Sequence, residues 1–142
     1  MYSIKYLLII CAFNISAYSM ARITPDSDFY AKNKYDSTLV WYFRYVNYSI
    51  IEAQNFPQGN IYQSLTFKGG NLSSVPNDVL PIRLFVLKFE SVPLTYIEDD
   101  AFQASANTLD QLEFTDTNLT SLPNALLRLN VLTSLTITNT NI

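Results

Sequence analysis

Apolar residues in the second half of the chain recur in one fixed pattern, which occurs four times. Each copy has apolar residues at positions 1, 4, 6 and 11, as in Tyr62, Leu65, Phe67 and Leu72. The copies begin at residues 62, 84, 109 and 132, so their starts lie 22, 25 and 23 residues apart. A period in this range is the signature of a solenoid, in which every repeat adds one structural unit to a stack.

The first half of each copy predicts a short β-strand. Leu65 and Phe67 are two residues apart, as are Leu112 and Phe114, so each pair points to one side of its strand. One repeat cannot bury that side alone, and stacking aligns the strands as a parallel sheet over a shared core. The intervening residues then face outward, so we look for function there.

The candidate partner-binding residues lie on the second and third strands. Phe85 and Val86 are apolar where the other repeats place polar residues, and we interpret them as exposed anchors for a partner. The alternative is that they pack against another segment of the chain. The acids of the third strand would add charge selectivity, or alternatively form only a solvated face. The candidate set is Phe85, Val86, Lys88, Glu90, Asp110, Glu113, Thr115 and Asp116.

The repeats resemble the leucine-rich repeats of secreted and cell-surface animal proteins. The run IEDDAF at residues 97–102 is similar to the return segment of that extracellular class. The endings DTNL and NTNI are similar to those of arthropod secreted repeat proteins, including the non-catalytic subunit of a shrimp luciferase. The resemblance implies an α/β solenoid with a parallel β-sheet on its concave face. Its domain would cover residues 61–142, with repeats at about 62–83, 84–108, 109–131 and, truncated, 132–142.

One position departs from that family. The usual asparagine, which bonds the backbone of neighbouring repeats, is replaced by Gly70, Val92, Thr117 and Thr140. In three of the four repeats asparagine comes one residue later, at Asn71, Asn118 and Asn141. Shifting the register to restore asparagine would expose the leucines, at about 1.5–3 kcal/mol for each large apolar side chain. The leucines therefore set the register. The threonine hydroxyls can supply part of the missing bonding, whereas glycine and valine cannot.

The amino terminus has the parts of a secretory signal peptide. Lys5 supplies a positive charge, residues 6–13 (YLLIICAF) form an apolar run, and small residues follow. We expect cleavage after Ser19 or Ala21, which makes residues 1–21 the signal peptide and the mature protein extracellular. The apolar run is shorter than the roughly 20 residues of a membrane span, and no later stretch is long and apolar enough for one.

Residues 22–60 are rich in aromatic side chains and predict a cap on the first repeat. The stretch 39–51 (LVWYFRYVNYSII) has an excess of β-branched and aromatic residues, which favours a strand over a helix. A solenoid needs its terminal core covered, and the chain has no cysteine after the signal peptide to close a disulfide-bonded cap. The alternative interpretation is that the aromatic residues form a platform for stacking a sugar or another ligand.

The other end of the repeat array is expected to need a cover of its own. The fourth copy of the pattern stops at Ile142, directly after its predicted strand. A terminal repeat normally carries a polar outer face. We therefore expect either a longer chain, such as a larger repeat receptor, or a partner that covers this end.

Three asparagines after the signal peptide lie in sequons for N-glycosylation. They are Asn47 (NYS), Asn71 (NLS) and Asn118 (NLT), and a further match, Asn14, would be removed with the signal peptide. Asn71 and Asn118 occupy equivalent positions in two repeats. The alternative is that the sequence NLT or NLS only serves the turn that follows the strand.

The composition excludes several classes of function. The chain has no histidine, and its single cysteine, Cys11, lies in the signal peptide, so the usual catalytic triads, zinc sites and thiol nucleophiles are not available. A net charge of −3 without a basic cluster disfavours nucleic acid. No glycine-rich phosphate loop is present. We therefore predict a non-enzyme without a cofactor.

Two hypotheses of function remain. The first is a secreted interaction module that binds a protein or glycan partner through its concave face. The second, implied by the luciferase-subunit resemblance, is a non-catalytic accessory subunit of a secreted enzyme. Co-purification separates them, because only the second predicts a stoichiometric enzyme partner.

Overall fold

A computed structural model describes residues 38–46, 48–52, 56 and 61–142 of the protein. The predicted signal peptide and the first part of the predicted cap lie outside these residues. The described residues contain seven strands: β1 (Thr38–Val46), β2 (Ile61–Gly70), β3 (Ser74–Val75), β4 (Leu84–Glu90), β5 (Tyr96–Ile97), β6 (Gln111–Thr115) and β7 (Ser134–Thr138).

The strands form a parallel β-solenoid of about four turns. One sheet has the order β1-β2-β4-β6-β7, and a second, smaller sheet pairs β3 with β5. In the large sheet Leu65 pairs with Leu87, Leu87 with Leu112, and Leu112 with Leu135. The first three of these leucines are buried. The register set by the leucines, rather than by asparagine, is therefore confirmed.

The helical part of the predicted α/β fold is small. Two short 3-10 helices, Gln103–Ser105 and Asn124–Arg128, lie in the return segments, and the described residues contain no α-helix. Hydrogen bonds between successive repeats hold the return segments in place. The buried Ser105 hydroxyl donates to the Pro81 carbonyl, and the Asn130 N–H donates to the Ala106 carbonyl at 2.9 Å.

A column of stacked phenylalanines runs through the core. Phe43, Phe67, Phe89 and Phe114 lie on four successive strands, with ring centroids 5.0, 5.5 and 5.6 Å apart and rings within 11° of parallel. The in-register pairing places identical residues beside one another, so the rings stack as offset neighbours. The column connects the amino-terminal segment to the third repeat through one continuous contact.

The amino-terminal segment adds a strand to the first repeat. The strand predicted at residues 39–51 is present as β1, which pairs in parallel with β2, and Ile50 forms a further bridge to Ser74. Phe43, Val46, Ile51 and Phe56 of this segment are buried in the core. Its role as a cap stays a prediction, because residues 1–37 lie outside the described part of the chain.

Each strand of the large sheet has a residue with a positive φ at or just after its carboxyl end. Tyr45 and Gly69 are the last residue but one of β1 and β2, and Ser91, Asp116 and Asn139 directly follow β4, β6 and β7. Their φ angles are 49°, 67°, 52°, 51° and 50° in that order. Glycine, asparagine and aspartate tolerate this conformation better than other residues. Asp116 therefore lies in a turn rather than on the strand itself.

The last repeat exposes apolar residues that the inner repeats bury. Leu135 is 41% exposed and Ile142 46%, whereas their equivalents Leu65 and Leu72 are fully buried. Leu132 and Ile137 are only partly buried against the core. Of the helices among the described residues, none has the length and apolar character needed to cross a membrane.

Candidate partner-binding surface

Phe85 and Val86 lie on the central strand of the five-stranded sheet. Val86 pairs with Ser64 on one side and Gln111 on the other, so polar residues flank it in both neighbouring strands. Phe85 is 36% exposed, and Val86 is partly exposed. We call the surface formed by the outward residues of β2, β4, β6 and β7 the outer sheet face.

Two ion pairs cross the outer sheet face beside these apolar residues. Lys68 Nζ lies 3.1 Å from Glu90 Oε2, and Lys88 Nζ lies 2.9 Å from Glu113 Oε2. The parallel register places each lysine opposite a glutamate of the next strand. The hydrogen bond from Lys88 holds the pKa of Glu113 below its ordinary value, and the Thr115 hydroxyl adds to this effect against the cost of desolvation. The charges are therefore largely matched within the surface.

Replacing Lys88 by methionine should raise the pKa of Glu113. The substitution removes the hydrogen bond and the positive charge but keeps an unbranched side chain of similar length. The pKa of Glu113 is lower in the folded than in the unfolded chain, so its pair with Lys88 stabilises the fold near neutral pH. This stabilisation is lost as the pH falls through the folded-state pKa of Glu113. NMR titration of the side-chain carboxyl carbon measures the shift, and an unchanged pKa would contradict the pairing.

The three acids of the third repeat do not form one acidic cluster. The Thr133 hydroxyl donates to Asp110, which precedes β6, and the Ser91 hydroxyl donates to Asp116 at 3.3 Å in the turn that follows β6. Only Glu113 lies within the strand. In the described part of the chain, no three acids come together in a group that could hold a metal ion.

The threonine hydroxyls take part in bonding between repeats, as the sequence suggested. Thr140 Oγ1 lies 3.2 Å from Thr117 Oγ1 and accepts a hydrogen bond from the Thr117 N–H at 3.4 Å. Thr140 Oγ1 also donates to the Thr138 carbonyl at 3.2 Å. Val92, at the same repeat position, is buried as an apolar residue instead. Threonine and valine thus fill one position with similar shapes and different chemistry.

The sequons lie where the chain leaves the outer sheet face. Asn71 and Asn118 are both exposed, each two residues after the left-handed turn of its repeat. The Asn71 N–H donates to the Val46 carbonyl at 2.8 Å, which fixes the backbone and leaves the side chain in solvent. Asn47 lies outside the described residues.

The outer sheet face has one shallow depression beside Val86. It holds about 30 Å³, close to the volume for a single water molecule, and Lys88, Gln111, Glu113 and Ser134 contribute to its walls. A drug-sized ligand needs a pocket of about 300–1,000 Å³. The geometry therefore suits a partner that lies across the sheet better than a small molecule enclosed within it.

Comparisons with known proteins gave no match. No protein-family model matches the chain, and neither a curated protein nor a solved structure shows significant similarity to it.

Proposed function

We propose that the protein is an extracellular leucine-rich-repeat protein that binds a protein or glycan partner on the concave face of its sheet. The observation that carries the proposal is the exposed apolar pair Phe85 and Val86 on the central strand, surrounded by polar residues and matched ion pairs. Binding hot spots have this arrangement, with an apolar centre and a polar rim that excludes water. The signal-peptide pattern and the solenoid architecture support the extracellular assignment.

The double variant Phe85→Ala/Val86→Ala should lose binding without losing the fold. Removing a hot-spot residue costs about 2 kcal/mol or more, so we expect binding at least about 30-fold weaker. The measurement is capture by the immobilised chain from extracellular fluid and from a glycan array, followed by affinity determination on the captured partner. Ile82→Ala is the control, because Ile82 is exposed but lies outside the outer sheet face. Unchanged affinity of the double variant would reject the proposal, as would its unfolding.

An accessory role in a secreted enzyme complex is the alternative. The exposed apolar residues of the third and fourth repeats, Leu127 and Leu135 among them, support the attachment of a second subunit. Purification from the native source decides between the two functions. A stoichiometric enzyme subunit in the preparation supports the accessory role.

We also propose that Asn71 and Asn118 carry N-glycans. Both side chains are exposed in equivalent loops, and the Asn71 N–H is bonded to the Val46 carbonyl of β1. Expression in a eukaryotic secretory pathway should give a mass that falls on treatment with an N-glycosidase. Asn71→Gln and Asn118→Gln should each remove one glycan, and a chain whose mass does not change on treatment would reject the assignment.

A further inference from the structure

The smaller sheet of the solenoid stops at β5. Within it, the N–H groups of Thr95 and Tyr96 donate to the Ser73 carbonyl at 2.9 and 3.3 Å, and the Glu98 N–H donates to the Val75 carbonyl at 3.0 Å. On the other side of β5, the described residues provide no strand neighbour. The large sheet continues past this point, because β4 and β6 pair over five residues.

A proline removes one hydrogen bond that would extend the smaller sheet into the third repeat. Pro123 occupies the position in the third repeat that Glu98 occupies in the second. Proline has no N–H, so it cannot give the Ile97 carbonyl the hydrogen bond that Glu98 gives to Val75. No hydrogen bond between described residues corresponds to this one at the third repeat. The backbones of the second and third repeats are therefore not bonded at this point, and side-chain bonds from Asn124 to Asp99 and from Arg128 to Asp100 join the two repeats nearby.

A groove of about 150 Å³ lies between the two repeats at this point. Its apolar walls include Tyr96 and Leu122, which are 57% and 50% exposed. Leu122 corresponds to Val75 and Ile97, which are buried in their repeats. Thr95 and Asp99 also line the groove, and Asp99 brings a carboxylate, which accepts hydrogen bonds.

Asp99 has the longest hydrogen bond to its carboxylate among the three acids of the run Glu98–Asp99–Asp100. The Glu98 carboxylate accepts a hydrogen bond from the Asn77 N–H at 2.8 Å, and the Asp100 carboxylate lies 2.7 Å from the Arg128 guanidinium. Asp99 receives only a long bond of 3.3 Å, from the Asn124 side-chain amide. Its charge has no cationic partner among the described residues, since Arg128 is paired with Asp100.

We propose that this groove binds an arginine side chain of a partner protein. A guanidinium has five N–H donors, no acceptor and a positive charge, which match the carboxylate of Asp99 in the lining. It also stacks on aromatic faces, and the exposed Tyr96 ring lies at the groove. The volume suits one side chain rather than a folded segment. This site is separate from the outer sheet face, so it does not depend on the function proposed for that face.

The probe for this site is N-acetyl-arginine amide, titrated into isotope-labelled full-length chain and followed by NMR. We expect saturable shifts at the amides of Tyr96, Ser121 and Leu122, with a Kd of about 1–10 mM for a fragment of this size. N-acetyl-citrulline amide, which has the same shape without the charge, should bind at least about fivefold more weakly. Equal binding of the two probes would overturn the proposal.

Two substitutions locate the site. Asp99→Asn should weaken arginine-amide binding at least about fivefold, and Tyr96→Ala about two- to fivefold. Asp78→Asn is the matched control, because Asp78 is also an exposed aspartate in a loop but does not line the groove. All three residues are on the surface, so melting temperatures should stay close to that of the unsubstituted chain. Unchanged binding in Asp99→Asn, or shifts confined to other parts of the chain, would also overturn the proposal.

Discussion

Replacing Phe89 by alanine is expected to lower the free energy of unfolding by about 3–5 kcal/mol. Phe89 is fully buried and stacks between Phe67 and Phe114, at 5.5 and 5.6 Å between ring centroids. The neighbouring rings are held in place by the paired strands, so the cavity cannot close fully. Since a domain of this size is stable by only about 5–15 kcal/mol, the loss is a large fraction of the total.

Urea unfolding followed by circular dichroism measures this loss, with Phe85→Ala as the matched control on the same strand. Phe85 points outward and is 36% exposed, so its substitution should cost less than about 1.5 kcal/mol. A Phe85→Ala variant as unstable as Phe89→Ala would contradict the register of the sheet. The comparison is informative because the two residues differ in the direction of their side chains and not in type.

Substituting alanine for Gly70 is expected to destabilise the protein by at least about 3 kcal/mol. Gly70 has a φ of 86°, a conformation in which an L-residue is strained. A Cβ at this position would also overlap the backbone N and O of Val46 in the adjacent strand. Backbone atoms within a paired sheet cannot move aside, so the strands β1 and β2 would have to separate at this end.

Gly69→Ala is the matched control for Gly70→Ala. Gly69 also has a positive φ, of 67°, but its added Cβ would meet ring carbons of Tyr45 at 2.8 Å. An exposed ring can rotate away, so we expect only the conformational cost of about 1–2 kcal/mol. Thermal melting of both variants measures the difference. Equal loss in the two would show that the approach of Gly70 to Val46 is not as close as described.

The sequence predicted the repeat strands of the large sheet and their register because both follow from the apolar pattern that each copy repeats. Leu65, Leu87 and Leu112 could be aligned by counting, and burial then fixed the side of the strand that each one occupies. The matched lysine and glutamate pairs follow from the same alignment, since Lys68 and Glu90 are one repeat apart. These ion pairs become visible in the sequence only when the strands of successive repeats are compared side by side.

Other features could not be found in this way. The left-handed turns fall on glycine, serine, aspartate and asparagine in four repeats, which is a usable signal, but Tyr45 breaks it. The left-handed backbone conformation of Tyr45 is imposed by the packing of β1 against β2, because tyrosine does not favour this conformation by itself. The hydrogen bond that Pro123 cannot make was also not predictable from its own repeat, because the acceptor would be the Ile97 carbonyl of the preceding repeat.

Binding of a partner across the outer sheet face at Phe85 and Val86 is tested most directly by NMR shift mapping with the captured partner. We expect the largest changes at the Val86 methyl groups and at the amides of Phe85, Gln111 and Ser134, with little change at Ile82. Shifts concentrated on the return segments or at the open fourth repeat, with Val86 unaffected, would contradict it.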